Sequence, residues 1–201
     1  MSVRHAWLVV FLVLVAAPLL AQTSSSETTK TAQLKPDTGT FANNIYKNPY
    51  IGFSYTAPGE GWILPPEDAK AKSSELPGQF QLLLVFTQTS PLQLVQLRAD
   101  DASFYHPPMS LEVWFKNAVR HVASDKRIEI IKNPYPVEYA GQRFYRADYK
   151  QNYGGQPFHG SILGTEHSGF KLNWVFLASS EDTLKTLVDS LGTLSFTHSR
   201  K

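Results

Sequence analysis

Any chemistry in this sequence must be built from histidine, serine, carboxylate and arginine side chains, because its 201 residues include no cysteine. That absence removes thiol nucleophiles, iron–sulfur ligation, cysteine-ligated zinc and disulfides together. Beyond His5 near the N-terminus, the histidines available for metal binding are His106, His121, His159, His167 and His198, and none forms an H-x-H or H-x-x-x-H pair. His159 and His167 fall on one face of a predicted strand, but at about 3.3 Å per residue they stand roughly 26 Å apart, too far for one ion. No metal site is expected, and His121 reads as a flank residue of a helix.

Serine adjoins histidine in His159-Gly160-Ser161 and His167-Ser168-Gly169, but neither has the G-x-S-x-G elbow that presents a nucleophile between strand and helix. A hydrolase would therefore need His106, His159 and Ser161 to meet by long-range folding. The acidic pairs have structural readings: Asp100-Asp101 ends a strand, and Glu181-Asp182 sits in a helix's first turn, where the dipole favours it. Gly154-Gly155 joins two strand patterns and precedes no helix, so no phosphate loop and no cofactor is expected. What remains is a polar strip, Arg146, Asp148 and Lys150, running to Tyr153 beside a turn. It alternates with Tyr145, Ala147 and Tyr149, so one face of its strand is charged and the other packs. Such a strip is either a solvated face or a partner-binding surface, and these four residues are the candidate site. Tyr46, Tyr50 and Tyr55 read as packing residues.

The elements that must position these residues follow from periodicity. Phe41 to Tyr46 and then Ile51, Phe53 and Tyr55 alternate as a hairpin turning at Asn48-Pro49, and Pro65 to Ser74 reads as a short helix. Phe80 to Phe86 is apolar on both faces, which predicts a central, doubly covered strand. Pro91 to Arg98 is a second strand. Ser110 caps a helix whose Leu111, Trp114, Phe115, Ala118, Val119 and Val122 form one apolar stripe. Four strands are expected near 126–131, 137–151, 158–166 and 170–178, with turns at Asn133-Pro134, Gly154-Gly155 and Ser168-Gly169. A last helix, capped by Ser179 and closed by Gly192 as C′, carries Leu184, Leu187, Val188 and Leu191, and Thr193 to Phe196 extends beyond it. A doubly buried antiparallel sheet and two amphipathic helices make an α/β/α sandwich.

Asn48-Pro-Tyr-Ile-Gly-Phe-Ser-Tyr55 with Pro58 and Trp62 resembles the opening hairpin of the PsbP-like superfamily. Leu172-Asn-Trp-Val-Phe176, followed by Leu187-Val-Asp-Ser-Leu-Gly-Thr-Leu-Ser-Phe196, is similar to its closing strand, helix and terminal strand. The likeness spans most of residues 41–196. It implies that family's α/β sandwich and an accessory or binding role without a catalytic centre. Its motifs are packing motifs and carry no chemistry.

Upstream, Arg4 precedes an uncharged apolar run from Ala6 to Ala21, 16 residues long and broken by Pro18. That is shorter than the roughly 20 residues of a spanning helix and reads as a secretory leader, residues 1–21, cleaved between Ala21 and Gln22. The alternative is an uncleaved anchor. Residues 22–40 are rich in Ser, Thr and charge and read as a flexible tether, leaving 41–201 as a single domain. Loss of the leader, with Arg4, lowers the net charge from +2 to +1, too little for nucleic-acid binding. The expected protein is an exported bacterial envelope domain, periplasmic or extracellular, not an enzyme and not membrane-anchored after cleavage. Its partner would be an envelope protein or a small ligand; the rival reading is the dispersed His/Ser hydrolase.

Overall fold

The computed structural model describes residues 39–62, 81–89 and 92–197, all within the unit Pro36–Lys201. The leader, the Ala21-Gln22 junction, nearly all of the tether, the short helix expected at 65–74 and His198 lie outside the described residues.

The strands are β1 (Thr40–Ala42), β2 (Ile45–Asn48), β3 (Phe53–Thr56), β4 (Gln81–Thr89), β5 (Leu92–Asp101), β6 (Ile128–Tyr139), β7 (Gln142–Tyr153), β8 (Gln156–His167), β9 (Phe170–Ala178) and β10 (Ser195–Phe196). The α-helices are α1 (Leu111–Val122) and α2 (Glu181–Asp189). A six-stranded antiparallel sheet runs in the order β4-β5-β9-β8-β7-β6, and a small sheet in the order β1-β2-β3-β10.

Strand alternation divides the large sheet into two packed faces. One face takes α1: Trp114, Phe115 and Val119 bury against Tyr145, Ala147, Tyr149 and Ile162. The opposite face takes both α2 and the small sheet. There Leu184, Leu187, Val188 and Leu191, with Tyr46, Phe53 and Tyr55, close over Val95, Leu97, Phe144, Leu163, Trp174 and Phe176. The sandwich is therefore α/β/α with a strand layer sharing one side. Tyr46 and Tyr55 are fully buried and Tyr50 packs on Phe170, as their reading as packing residues requires.

Several expectations are corrected. The hairpin strand predicted over 41–46 is broken by Asn43-Asn44, which turn with φ of 50° and 61°. The predicted turn at Asn133-Pro134 is absent: β6 runs through it, using irregularities between Ile130 and Lys132 and between Lys132 and Tyr135. The chain instead reverses at Ala140-Gly141, both at positive φ, which is the two-residue turn whose twist suits a hairpin. The α2 cap is Ser180, whose hydroxyl accepts from the Thr183 amide, because Ser179 still belongs to the exit from β9. Gly192 is no left-handed C′ residue; it lies in a 3₁₀ turn, Ser190–Thr193. The apolar run expected at the centre of the sheet forms β4, which among the described residues lies at the sheet's edge.

Candidate functional site

The loop between β5 and α1 builds the most distinctive surface among the described residues. It follows Asp101, and Asp100, just before that residue, continues β5 instead of ending it and is buried. The Asp101 side chain accepts from the Ser103 amide (2.8 Å) and caps the 3₁₀ turn Ala102–Phe104. The Ala102 amide bonds Gly169 O (2.9 Å), tying the loop to the β8–β9 turn. At the far end the Ser110 hydroxyl accepts from the Val113 amide and opens α1, as its cap pattern predicts. Fixed at both ends, the loop forms an open groove lined by Phe104, Tyr105, His106, Pro107, Pro108, Met109, Ser110 and Val113. Phe104 (37% exposed) and Val113 (49%) are two of the three large apolar residues classed as exposed among the described residues.

Under the groove, the Tyr105 hydroxyl (2.6 Å) and the Trp114 indole N–H (2.9 Å) both donate to Asp100 Oδ2. Burial pushes the Asp100 carboxyl up to about 6, although those two bonds and the nearby charges of Arg98 and Lys171 pull the other way. The Arg98 guanidinium is itself pushed down to about 10 by burial, and the buried Lys171 reaches out to Glu166 (2.6 Å). Asp100 Oδ1 and Asn173 Oδ1, on the same face of the sheet, are buried without a protein donor among the described residues. The groove is thus an apolar, solvent-open surface resting on a buried polar network.

Arg146, Asp148 and Lys150 occupy the opposite face of the sheet. The alternation is as expected, but the strip is less solvated than alternating charges suggest. Arg146 and Asp148 pair at 2.7 Å with side chains only 22% and 13% exposed. Asp148 also accepts from the Tyr135 hydroxyl (3.0 Å) and from Ser161, across the β7–β8 pair. Lys150 is exposed; Tyr153 ends β7, with its side chain outside the description. The Tyr135 partner went unread because irregular β6 hides which of its residues face β7.

Of the dispersed hydrolase set, Ser161 and His159 share the strip's face, while His106 lies in the groove on the α1 side. The Ser161 hydroxyl is engaged by Asp148 and Arg146, and His159 Nδ1 lies 3.3 Å from Glu181 Oε1 at the start of α2. No cluster of three metal-ligating side chains occurs among the described residues.

No family model and no curated protein matches the chain by sequence. Its fold matches the solution structure of cyanobacterial PsbP from Synechocystis sp. PCC 6803, with a TM-score of 0.52 over 76% of this chain and 91% of that one. The fold is PsbP-like. At 17% identity the likeness extends to architecture and no further. A protein of unknown function from Pseudomonas aeruginosa (11% identity, 61% and 87% of the two chains, TM-score 0.45) is more distant. So is LpqN of Mycobacterium tuberculosis, involved in cell envelope biogenesis (12% identity, 70% and 85%, TM-score 0.35). In this PsbP-like domain the loop Ala102–Ser110 and the Arg146–Asp148 strip lie on opposite faces of one sheet, so one partner contact on a single side would engage only one of them.

Proposed function

We propose that this PsbP-like domain is an exported, non-enzymatic binding module of the bacterial envelope that engages a protein partner through the groove before α1. The observation that carries this reading is the exposure of Phe104, in the loop held at both ends, and of Val113, in the first turn of α1, where both line one groove. Apolar side chains fixed in solvent by a hydrogen-bonded scaffold suit partner recognition, since nothing in the fold requires their exposure. The apolar leader supports export. Binding without catalysis is supported by Ser161 being held by a carboxylate and a guanidinium, with His106 on the other face of the sheet.

The test is photo-crosslinking from position 106 of the mature protein in native envelope extract, compared with a Phe104→Ser/Val113→Glu variant. Both substituted side chains are exposed, so the fold should be kept and its stability should hold within about 1 kcal/mol. A single crosslinked protein that disappears with the variant is the expected result. Equal labelling of both proteins, or ester or peptide turnover abolished by Ser161→Ala, would reverse the assignment.

A further inference from the structure

The groove before α1 does not end at its apolar lining. Val113 stands in the first turn of α1, and Lys116, Asn117 and Arg120 follow it at i+3, i+4 and i+7, so the four share one exposed stripe of the helix. Asn117 joins the two ends of that stripe. Its side-chain amide donates to Met109 Sδ in the groove wall (3.7 Å), and its Oδ1 accepts from Arg120 Nη1 (3.2 Å). A guanidinium carries five N–H donors, so one bond to a neutral amide leaves most of them open and the charge unmatched. Among the described residues no carboxylate pairs with Arg120, whereas Lys116 is matched by Glu112 at 2.6 Å and Arg127 by Asp125 at 2.5 Å.

We propose that the groove and Arg120 form one recognition surface for an apolar segment of a partner protein that carries a carboxylate, an inference that rests on the groove being a protein-binding site. A large apolar side chain of the partner seats against Phe104 and Val113, and its Asp or Glu meets Arg120 in the bidentate geometry a guanidinium favours. The spacing follows from the helix. Seven residues at about 1.5 Å each put Arg120 roughly 10 Å beyond Val113, the reach of about three residues of extended chain. One unmatched cation beside an apolar groove selects a single carboxylate. An anionic membrane is held by several basic residues acting together, and here Lys116 and Arg127 are already neutralised.

The probe is a phage-displayed library of random dodecapeptides, selected on the mature protein and then measured as synthetic peptides by fluorescence anisotropy. Selected peptides should pair a Phe, Leu, Ile or Trp with an Asp or Glu three or four positions away. Arg120→Glu should weaken them by about tenfold, and exchanging the peptide's acid for Lys should recover that loss. Lys126→Glu makes the same charge change beyond the end of α1 and should alter affinity no more than about twofold, because salt screens separated surface charges. Both side chains are exposed, so the two variants should keep the wild-type circular dichroism spectrum. Peptides that lose binding with Phe104→Ser/Val113→Glu but ignore Arg120→Glu would overturn this inference and leave the groove reading standing. Peptides indifferent to both variants would overturn the two together. No enriched peptide would also overturn the inference, and cosedimentation of the protein with phosphatidylglycerol vesicles in that case would assign the surface to anionic lipid.

Discussion

Asp100 is the residue whose environment departs furthest from its sequence context. Two adjacent acids after a strand ordinarily mark its end in solvent, and Asp101 obliges by capping a 3₁₀ turn. Asp100 does not: the β5–β9 ladder continues past it, its register partner being Lys171. Nothing local marks the difference, because its partners Tyr105 and Trp114 come from a loop and a helix that fold back over it. The consequence is a pH dependence of defined sign. A carboxyl raised from 3.8 to about 6 binds its proton more tightly in the folded state, so its contribution to stability is fully present below pH 3.8 and is lost as pH rises through about 6. About two pH units correspond to roughly 3 kcal/mol. Asp100→Asn keeps an acceptor for Tyr105 and Trp114 but cannot ionise. Its Tm relative to wild type should therefore rise between pH 4 and pH 8, and an unchanged difference across that range would remove Asp100 as the titrating group. The strip at Arg146, Asp148 and Lys150 was legible as a face from alternation alone, whereas its half-buried pairing with Tyr135 and Ser161 depends on neighbouring strands that local pattern does not locate.

At the scale of elements, α1 and the meander were legible because apolar spacing and turn residues agree, and the misplacements share a cause. Asn133-Pro134 has the composition of a turn, but an edge strand tolerates proline, and the chain reverses where Ala140-Gly141 can both take positive φ. Likewise β4 reads as central by composition because the pattern reports which surfaces are apolar and not what covers them. The seat of α1 was also hidden. A β-carbon on Gly164 would lie 2.6 Å from the Phe115 ring and 2.9 Å from the Trp114 ring, so the helix lies flat on β8 only because that position has no side chain. Gly160 makes the same room for the Tyr149 ring. Gly164→Ala should accordingly cost about 1–3 kcal/mol and perturb the Trp114 fluorescence, since the rings must move outward. Gly192→Ala is the matched control: nothing lies within 4 Å of its β-carbon and its φ is not positive, so it should be neutral or slightly stabilising. Equal losses in the two variants would mean that backbone freedom, and not ring packing, is what Gly164 supplies.

For the molecule as a whole, stability without a disulfide must come from two cores that share one sheet. Ile162 faces α1 and its neighbour Leu163 faces α2, and the same alternation places Tyr145 and Phe144 in opposite cores. Loss of either core therefore exposes one face of strands that the other core still needs, which couples the two energetically. Leu187, fully buried in α2, tests this from the side remote from α1. Leu187→Ala should cost about 2–5 kcal/mol through lost burial and the cavity it leaves, a fall of roughly 5–15 °C for a domain of this size. Far-ultraviolet ellipticity and the fluorescence of Trp114, which sits in the other core and is read in a Trp62→Phe/Trp174→Phe background because those two tryptophans belong to the α2 side, should fall together, and the calorimetric enthalpy should equal the van't Hoff value. Separate transitions, with Trp114 surviving the melting of α2, would show that the layers fold as independent units. The groove before α1 would then keep its geometry without the second core beneath the sheet.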